Sequence, residues 1–295
     1  MTETKIAIFG EVLFDQFPDG QLILGGAPFN VAWHLQALGE NPCFVSRVGN
    51  DAMGDKIQQA MLAWGMATDN LQTDSNHPTG SVKVTISNGE PDYEITDNQA
   101  YDFISGNELN PLNRFNIIYH GTLALRSRTT REALDNLKTH HKSKIFIDVN
   151  LRDPWWQAER VNHLISEADW VKLNQHELMR LAAPQNSIEE TMRAFLVQHS
   201  LDVLIVTCGS QGAMAIDRTG NRFEVKPTQH LPIVDTVGAG DAFAAILLLG
   251  IQQDWSLAVS MERAQAFASA LVSRQGATVQ DANFYQPFIS AWTPG

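Results

Sequence analysis

The amino-acid sequence predicts an α/β fold with a mostly parallel central sheet, helices on both faces of that sheet, and a small β-sheet lid. Three observations lead to this prediction. Short apolar runs recur along the chain, helical patterns separate many of them, and two segments of strand character interrupt the alternation. Strands that alternate with helices form parallel sheets covered on both faces. With 295 residues, 44% of them apolar, the chain can bury one large core.

Six apolar runs have the length and composition of core strands. They are residues 5–9, 43–46, 117–120, 145–149, 170–173 and 203–207. Val31, Leu35 and Leu38 lie at i, i+4 and i+7, and an apolar stripe from Leu257 to Leu271 continues for four turns. Both spacings predict helices with a buried face.

Two other segments predict the lid. Residues 81–95 have the alternation of an antiparallel hairpin, and Asn88-Gly89 is a dipeptide that tight hairpin turns favour. Residues 12–24 form a second extended segment. We expect the two segments to cover a ligand site, against the alternative of a surface hairpin without a function. The core then comprises residues 1–11, 25–80 and 104–295, and the lid comprises residues 12–24 and 81–103.

Composition and charge argue against several classes of protein. The 33 acidic and 21 basic residues give a net charge of −12, which is unsuited to binding the nucleic-acid backbone. No apolar run approaches the ~20 residues of a membrane span, and the polar N-terminus does not resemble a signal peptide. Cys43 and Cys208 lie in apparent strands and suit a reducing compartment. We therefore expect a soluble cytoplasmic protein without nucleic-acid or membrane partners.

The most informative segment is a glycine-rich turn that leads into an apolar helix. Gly238, Ala239 and Gly240 leave backbone N–H groups accessible at the positive end of the helix dipole, where a transferring phosphoryl group can bind. Asp241 lies in the first helical turn, and we expect its carboxylate to remain ionised and to accept a proton from a hydroxyl. For this segment alone, the alternative is a plain glycine turn with an acidic helix start.

A second glycine-rich turn lies near the N-terminus. Gly25 and Gly26 allow a small ligand to approach the backbone, and Pro28 suits the first turn of a helix. Asn30 can donate to and accept from sugar hydroxyls. The alternative is a strand-to-helix turn in which Asn30 caps the helix.

Together the two segments resemble the two signatures of the ribokinase-like (PfkB) carbohydrate kinase family. Residues 25–49 resemble the first signature, including its later glycine spacing, and residues 235–241 resemble the second. Ile246 departs from the pattern, which has Gly or Ala there, and we expect local repacking with the chemistry retained. The resemblance implies phosphoryl transfer from ATP to a sugar hydroxyl, with Asp241 as the base.

The resemblance also implies a nucleotide and metal site. Asn174 and Glu177 match the family's Asn-x-x-Glu motif, in which Glu177 would hold Mg²⁺ mainly through waters, although the same pattern is a capping box. Lys172 precedes this motif, and we expect a solvated strand-end lysine rather than a phosphate ligand. The positions implied to contact the nucleotide are Asn174, Thr207, Gly209, Gly212, Gly238 and Gln265. A simple glycine hairpin is the alternative for residues 207–213.

For the sugar, the resemblance implies contacts from Asp15, Asn150 and Arg152, in addition to Gly25, Gly26 and Asn30. Arg152 would approach the sugar or the phosphoryl group, with a loop salt bridge as the alternative. Gly121-Thr122-Leu123 stands where ribokinases have a further carboxylate, so fructose is favoured over ribose.

The hypothesis is therefore a fructokinase, and several alternatives stay open. Another small acceptor is one of them, such as ribose, a riboside or a 2-keto-3-deoxy sugar acid, and a non-catalytic sugar or nucleotide sensor is another. A K⁺ site near Asp235 and residues 273–277, and a homodimer through the lid, are further implications of the resemblance. The first strand is not followed by G-x-G-x-x-G and no G-x-x-x-x-G-K-[ST] occurs, which argues against a Rossmann dehydrogenase and a P-loop kinase.

Overall fold

The structure is a computed structural model that describes residues 6–87, 90–109, 115–139, 143–227 and 232–292. Lys5, at the start of the first predicted strand, and the predicted Asn88-Gly89 turn lie outside these residues. The strands are β1 (Ile6–Phe9), β2 (Leu13–Gln16), β3 (Leu22–Gly25), β4 (Cys43–Gly49), β5 (Leu71–Asp74), β6 (Gly80–Ser87), β7 (Glu90–Ile95), β8 (Ile117–His120), β9 (Lys144–Asp148), β10 (Trp170–Asn174), β11 (Val203–Thr207), β12 (Ala213–Asp217) and β13 (Arg222–Val225).

Helices connect most of these strands. They are α1 (Ala27–Ala37), α2 (Ala52–Ala63), α3 (Arg128–Thr139), α4 (Ala158–Ser166), α5 (Gln175–Leu181), α6 (Ile188–His199), α7 (Ala239–Gln252), α8 (Leu257–Leu271) and α9 (Gln286–Trp292). None of the helices within the described residues is long and apolar enough to cross a membrane.

Nine strands form the main sheet in the order β13-β12-β11-β10-β9-β8-β1-β4-β5. The seven strands from β11 to β5 pair in parallel, whereas β12 and β13 are antiparallel. All six predicted core strands belong to this sheet, so the predicted fold class is confirmed. Apolar runs do not indicate β5 or β13, because each strand has only four residues and mixes polar with apolar side chains.

Helices cover both faces of the main sheet, as alternate residues of β1 show. Ile6 and Ile8 face a hydrophobic cluster with α1, α2, α7 and α8. Ala7 and Phe9 face a second cluster with α3, α4, α5 and α6. A parallel strand that is buried on both faces explains why its sequence is uniformly apolar.

Helix α7 lies at the centre of the first cluster, between α1 and α8. Every residue from Ala242 to Gly250 is buried, which explains the apolar sequence on all sides of this helix. Ile246 is fully buried within the cluster. Its departure from the family pattern is thus a matter of core packing, more than a turn away from Asp241.

Four strands form a separate small sheet in the order β3-β2-β6-β7. The two predicted extended segments pair with each other, because β2 runs parallel to β6 and each segment closes an antiparallel hairpin. Leu13 and Val82 of the small sheet pack with Tyr101, Leu123 and Ala124 in a small hydrophobic cluster. Only three residues separate β1 from β2, so the small sheet stands directly beside the carboxyl end of β1.

Candidate active site

The candidate site lies at the carboxyl ends of the central parallel strands, where β1, β8, β9 and β10 are neighbours. Ligands of open α/β sheets bind at this edge. Three other elements carry candidate site residues close to this edge: the first turn of α7, the first turn of α1 and the small sheet.

The turn before α7 requires glycine. Gly238 is the N-cap residue and has φ = 77°, in the left-handed region. A Cβ on Gly238 would lie 2.5 Å from the Cα of Ala277, so no side chain fits there. Asp235 stabilises the turn, since its carboxylate accepts from the backbone N–H groups of Val237 and Gly276, both at 2.9 Å. Amides of a first helical turn have no intrahelical acceptor and can bind an anion.

Asp241 is held by a hydrogen bond across the site. Its Oδ2 accepts from Asn30 Nδ2 at 2.8 Å, over 211 residues of sequence. Burial raises the pKa of Asp241 to about 7, and the negative charge of Asp148 contributes to this rise. The Asn30 hydrogen bond and the positive charges of Lys172 and Arg152 act in the opposite direction and lower the pKa. At neutral pH the carboxylate is therefore ionised in part, because loss of hydration disfavours its charged form.

Asn30 is not a helix cap. The N-cap of α1 is Gly26, and Asn30 lies in the first turn with 5% of its surface exposed. Its Oδ1 is buried and has no donor among the described residues. Gly26 has φ = 108°, and a Cβ there would lie 2.7 Å from the backbone oxygen of Glu11, whereas a Cβ on Gly25 would meet no described atom within 4 Å. Gly25 therefore offers free space beside Asn30.

A buried ion pair lies below the first turn of α7. Lys172 and Asp148 are register partners on β10 and β9, and Lys172 Nζ donates to Asp148 Oδ2 at 2.7 Å. The two side chains are 5% and 4% exposed. The same Nζ lies 3.4 Å from the position that a Cβ on Gly240 would occupy. The expectation of a solvated lysine was wrong, because Lys172 lies inside the sheet edge and neutralises Asp148.

The Asn-x-x-Glu segment forms the capping box that the sequence allowed. The Asn174 side chain accepts from Glu177 N–H at 2.9 Å, and Glu177 Oε2 accepts from Asn174 N–H at 2.8 Å. Glu177 Oε1 accepts from Leu151 N–H at 2.7 Å, which ties α5 to the loop after β9. Burial raises the pKa of Glu177, and the charge of Asp148 raises it further. Both oxygens thus have backbone donors.

The loop after β9 carries two of the predicted sugar residues. Asn150 has φ = 41° and is half-buried, and Arg152 is exposed and makes no ion pair with any described residue. Asp15, on strand β2 of the small sheet, is half-buried. Burial raises the pKa of Asp15, and the positive charge of Arg152 opposes that rise. The charge of Arg152 therefore acts on two carboxyl groups, that of Asp15 in the small sheet and that of Asp241 in α7.

Comparison with known proteins identifies the family of the chain. The sequence matches the pfkB family carbohydrate kinase over residues 3–282. The chain belongs to this family. The fructokinase of Escherichia coli is 29% identical over 261 residues, with 84% of this chain and 84% of the relative covered.

Solved structures of two kinases share the fold. Vibrio cholerae fructokinase, in a form with fructose, ADP and calcium ion bound, has a TM-score of 0.80 and 25% identity, covering 97% of this chain and 99% of that chain. Aminoimidazole riboside kinase from Salmonella enterica, complexed with aminoimidazole riboside and an ATP analog, has a TM-score of 0.83 and 24% identity, with 97% and 100% covered.

The predicted nucleotide residues of this family member lie farther along the same sheet edge. Thr207 is the register partner of Asn174, and residues 208–212 connect β11 to β12 as a hairpin. Gly209 and Gly212 both have positive φ, and a Cβ on Gly212 would clash with the carbonyl oxygen of Val225. Gln265 is half-buried on α8 and donates to Ser269 Oγ at 3.0 Å. Helix α8 packs beside β13, the neighbour of β12.

Sequence reasoning missed two buried charged groups of the site. Lys172 was assigned to solvent, and Glu11 was given no role, although it is 3% exposed and its Oε2 has no partner among the described residues. Burial raises the pKa of Glu11, while the charges of Arg152 and Arg126 lower it. For Lys172 a signal existed, because aligning β9 and β10 in parallel places it opposite Asp148. For Glu11 no signal existed beyond its position after a buried strand.

Gly238→Ala tests the glycine requirement. Because the added methyl group would overlap Ala277 and the left-handed φ is unfavourable for alanine, we expect a loss of about 2 kcal/mol or more in unfolding free energy. Urea unfolding measures this loss. Gly25→Ala is the matched control, since a Cβ there has free space, and an equal loss in both variants would contradict the steric argument.

Asp241→Asn tests the raised pKa through stability. A folded-state pKa raised to about 7 means that the fold favours the protonated carboxyl. This preference is fully present below the unfolded value of 3.8 and is lost as pH rises through about 7. The variant should therefore gain unfolding free energy over the wild type, and the gain should be about 2 kcal/mol larger at pH 8 than at pH 5. Urea unfolding at both pH values provides the measurement, and equal gains would show that Asp241 is not titrating as described.

Proposed function

We propose that this protein is an ATP-dependent sugar kinase that transfers the γ-phosphoryl group of ATP to a hydroxyl of fructose. The observation that carries the proposal is the position of Asp241, a carboxylate with a pKa of about 7 in the first turn of α7. A base with this pKa accepts a proton from an attacking hydroxyl near neutral pH. The helix N-terminus beside it stabilises the negative charge of the transferring group.

The acceptor sugar binds next to Asn30, between Asp241 and the small sheet. Asn30 Nδ2 engages one oxygen of Asp241, and the other oxygen can take the hydroxyl proton. A sugar hydroxyl supplies the donor that the buried Asn30 Oδ1 lacks within the described residues. Asp15, Gly25, Gly26, Asn150 and Arg152 complete the proposed sugar contacts.

The nucleotide phosphates occupy the side of α7 and β10. The amides of Gly238, Ala239 and Gly240 form the anion hole, in which the Ala239 N–H exchanges a long hydrogen bond to the carbonyl oxygen of Thr236, 3.3 Å, for the phosphate. The Lys172 ammonium lies below Gly240 and brings N–H donors to the turn, with its charge balanced by Asp148. A buried cation with one carboxylate partner has further N–H donors for a phosphate oxygen. The remaining nucleotide contacts are assigned to Asn174, Thr207, Gly209, Gly212 and Gln265.

Mg²⁺ fits the site as an ion held through waters. Both oxygens of Glu177 accept backbone N–H groups and keep lone pairs for water, which suits an ion that dehydrates reluctantly. No group of three or more metal-ligating side chains occurs in the described part of the chain. When bound, Mg²⁺ supplies positive charge to the phosphates. We also propose a K⁺ site beside Asp235 and residues 273–277, where the Asp235 carboxylate orders both segments.

The small sheet serves as a lid in this proposal. Residues 12–24 and 81–103 form the lid, and residues 1–11, 25–80 and 104–295 form the core. The lid excludes water from the transferring group. The edge strands β3 and β7 offer a surface for a homodimer, which light scattering can test. A cytoplasmic location agrees with two cysteines that form no disulfide, one of them in β4 and the other just after β11.

An acceptor panel with coupled ADP detection tests the function. We expect fructose to give the highest kcat/KM among fructose, ribose, a riboside and a 2-keto-3-deoxy sugar acid. Asp241→Asn should lower kcat about a thousandfold with little change in either KM, because proton removal is lost and the contacts remain. A higher kcat/KM with another acceptor would replace fructose, and near-normal turnover of the variant would remove Asp241 from the mechanism.

Lys172→Met tests the buried cation. Removal of the lysine leaves Asp148 buried and unpaired, which should cost about 3 kcal/mol of unfolding free energy. The double variant Lys172→Met with Asp148→Asn should recover most of that stability, since no charge stays unpaired. Its kcat should stay at least about tenfold below that of the wild type, because the phosphoryl group has lost a cation. Full recovery of turnover in the double variant would confine Lys172 to a structural role.

A further inference from the structure

We infer that His34 is a positioning residue that fixes the anion-binding turn at Gly238 relative to the base, acting through the backbone of Ala277. The inference rests on the proposed function and adds a residue outside the proposed sugar and nucleotide contacts. His34 is fully buried and cannot touch either substrate. It lies four residues after Asn30 on α1, so both side chains project from the same face of the helix.

The contacts of His34 fix its tautomer. Its Nε2 is 3.0 Å from the carbonyl oxygen of Ala277, and its Nδ1 is 3.0 Å from the hydroxyl of Tyr285. A carbonyl oxygen can only accept, so Nε2 carries the proton and donates to Ala277. Nδ1 is then an acceptor that faces the Tyr285 hydroxyl, whose single proton is shared between Nδ1 and the carbonyl oxygen of Val279 at 3.2 Å. Burial lowers the pKa of His34 to about 4, so this neutral ring persists at neutral pH.

The backbone around Ala277 forms the wall behind the anion-binding turn. A Cβ on Gly238 would lie 2.5 Å from the Cα of Ala277, which places the two backbones in direct contact. Val272 accepts from the N–H groups of Val234 and Asp235 at 2.8 and 3.2 Å, and Gly276 donates to Asp235 at 2.9 Å. Residues 272–279 and 234–238 are therefore tied to each other.

Helix α1 holds this wall from the other side. His34 donates to Ala277, and the neighbouring Trp33 donates through Nε1 to the carbonyl oxygen of Val279 at 3.1 Å. The same helix orients Asp241 through Asn30. One rigid element thus sets the position of the base and, by way of Ala277, the position of the turn that binds the phosphoryl group. A small displacement between the two costs turnover without loss of binding.

The pKa of Asp241 provides a readout of this geometry. The charged or titratable groups that face Asp241 are Asp148 on β9, Lys172 on β10, Arg152 after β9 and Tyr119 on β8. None of them contacts His34 in the described structure. A change at His34 therefore reaches Asp241 through α1 and the Asn30 hydrogen bond, which favours the ionised form.

His34→Leu is the main test. We expect kcat to fall at least about tenfold with the KM for sugar and for ATP within about threefold, because alignment is lost and binding is kept. The acid limb of the kcat profile should move to higher pH by about half a unit or more, since a weaker Asn30 hydrogen bond no longer stabilises the carboxylate. His34→Gln keeps one donor and one acceptor and should restore most of both properties.

Two further variants separate positioning from general stability. Tyr285→Phe removes the hydroxyl that faces Nδ1 and also its hydrogen bond to the carbonyl oxygen of Val279 at 3.2 Å, and it leaves the donation from Nε2 to Ala277 in place. It should therefore move the acid limb in the same direction by a smaller amount, and it keeps the test open if His34→Leu does not fold. Thr191→Val deletes a buried hydroxyl on α6 that donates to Ser187, in the other hydrophobic layer. It should leave the limb unchanged.

Carboxyl ¹³C NMR of aspartate-labelled protein makes the test independent of turnover, with Asp241→Asn assigning the signal. The Asp241 titration should move upward in His34→Leu and not in Thr191→Val. An unchanged titration and acid limb in both His34→Leu and Tyr285→Phe would overturn the inference and leave the proposed kinase intact. Absence of phosphoryl transfer by the wild type to every acceptor would instead overturn the proposed function, while the NMR comparison would still report on His34.

Discussion

The hydrogen bond between Asn30 and Asp241 is the constraint on which the rest of the site depends. It joins the first turns of α1 and α7, which come from opposite ends of the chain. A partly buried carboxylate beside Asp148 is unfavourable, and this bond, with the charges of Lys172 and Arg152, lowers the pKa of Asp241 against the larger rise caused by burial. Loss of the bond would raise this pKa and so reduce the ionised fraction of the proposed base at neutral pH.

Charge balance supports the proposal that the two substrates take different sides of the site. Asp241, Asp148, Glu177 and Glu11 are acidic groups withdrawn from water, and burial raises the pKa of three of them. A triphosphate added to this set needs cations and N–H groups, which lie at α7 and Lys172. The side of Asn30 offers amide and carboxylate groups that suit neutral hydroxyls. An uncharged sugar is thus the acceptor that this distribution favours.

Local patterns predicted most of the fold, and nonlocal contacts account for what they missed. The six core strands follow from apolar runs, and the glycine turns follow from residue type, because both are properties of a few adjacent residues. The burial of Lys172 depends on the register of β9 against β10, and the pKa of Asp241 depends on how much water the packed helices exclude. The local sequence around Asn30 was compatible with both a helix cap and a ligand-binding residue. The nonlocal hydrogen bond to Asp241 at the start of α7 distinguishes the two. For Glu177 the local pattern was sufficient to predict the contact, because the capping box is present in the structure. The role of Glu177 toward a metal is proposed in addition.

Helix α7 joins catalysis to packing within one element. In the proposed function its first turn forms the anion hole and carries the base, and the following nine residues are buried in the core. The packed core fixes the axis of α7, so the first turn cannot move independently of the helix. Its alignment with α1 therefore depends on contacts on the side of the turn away from the candidate phosphate site. The direct contact between Gly238 and Ala277 provides such a contact, and it needs a residue without a side chain on one partner. In the proposed function, the glycine-rich sequence before α7 therefore satisfies two demands. Its small residues let a phosphate approach the backbone of the turn, and they allow a close backbone contact on the opposite side.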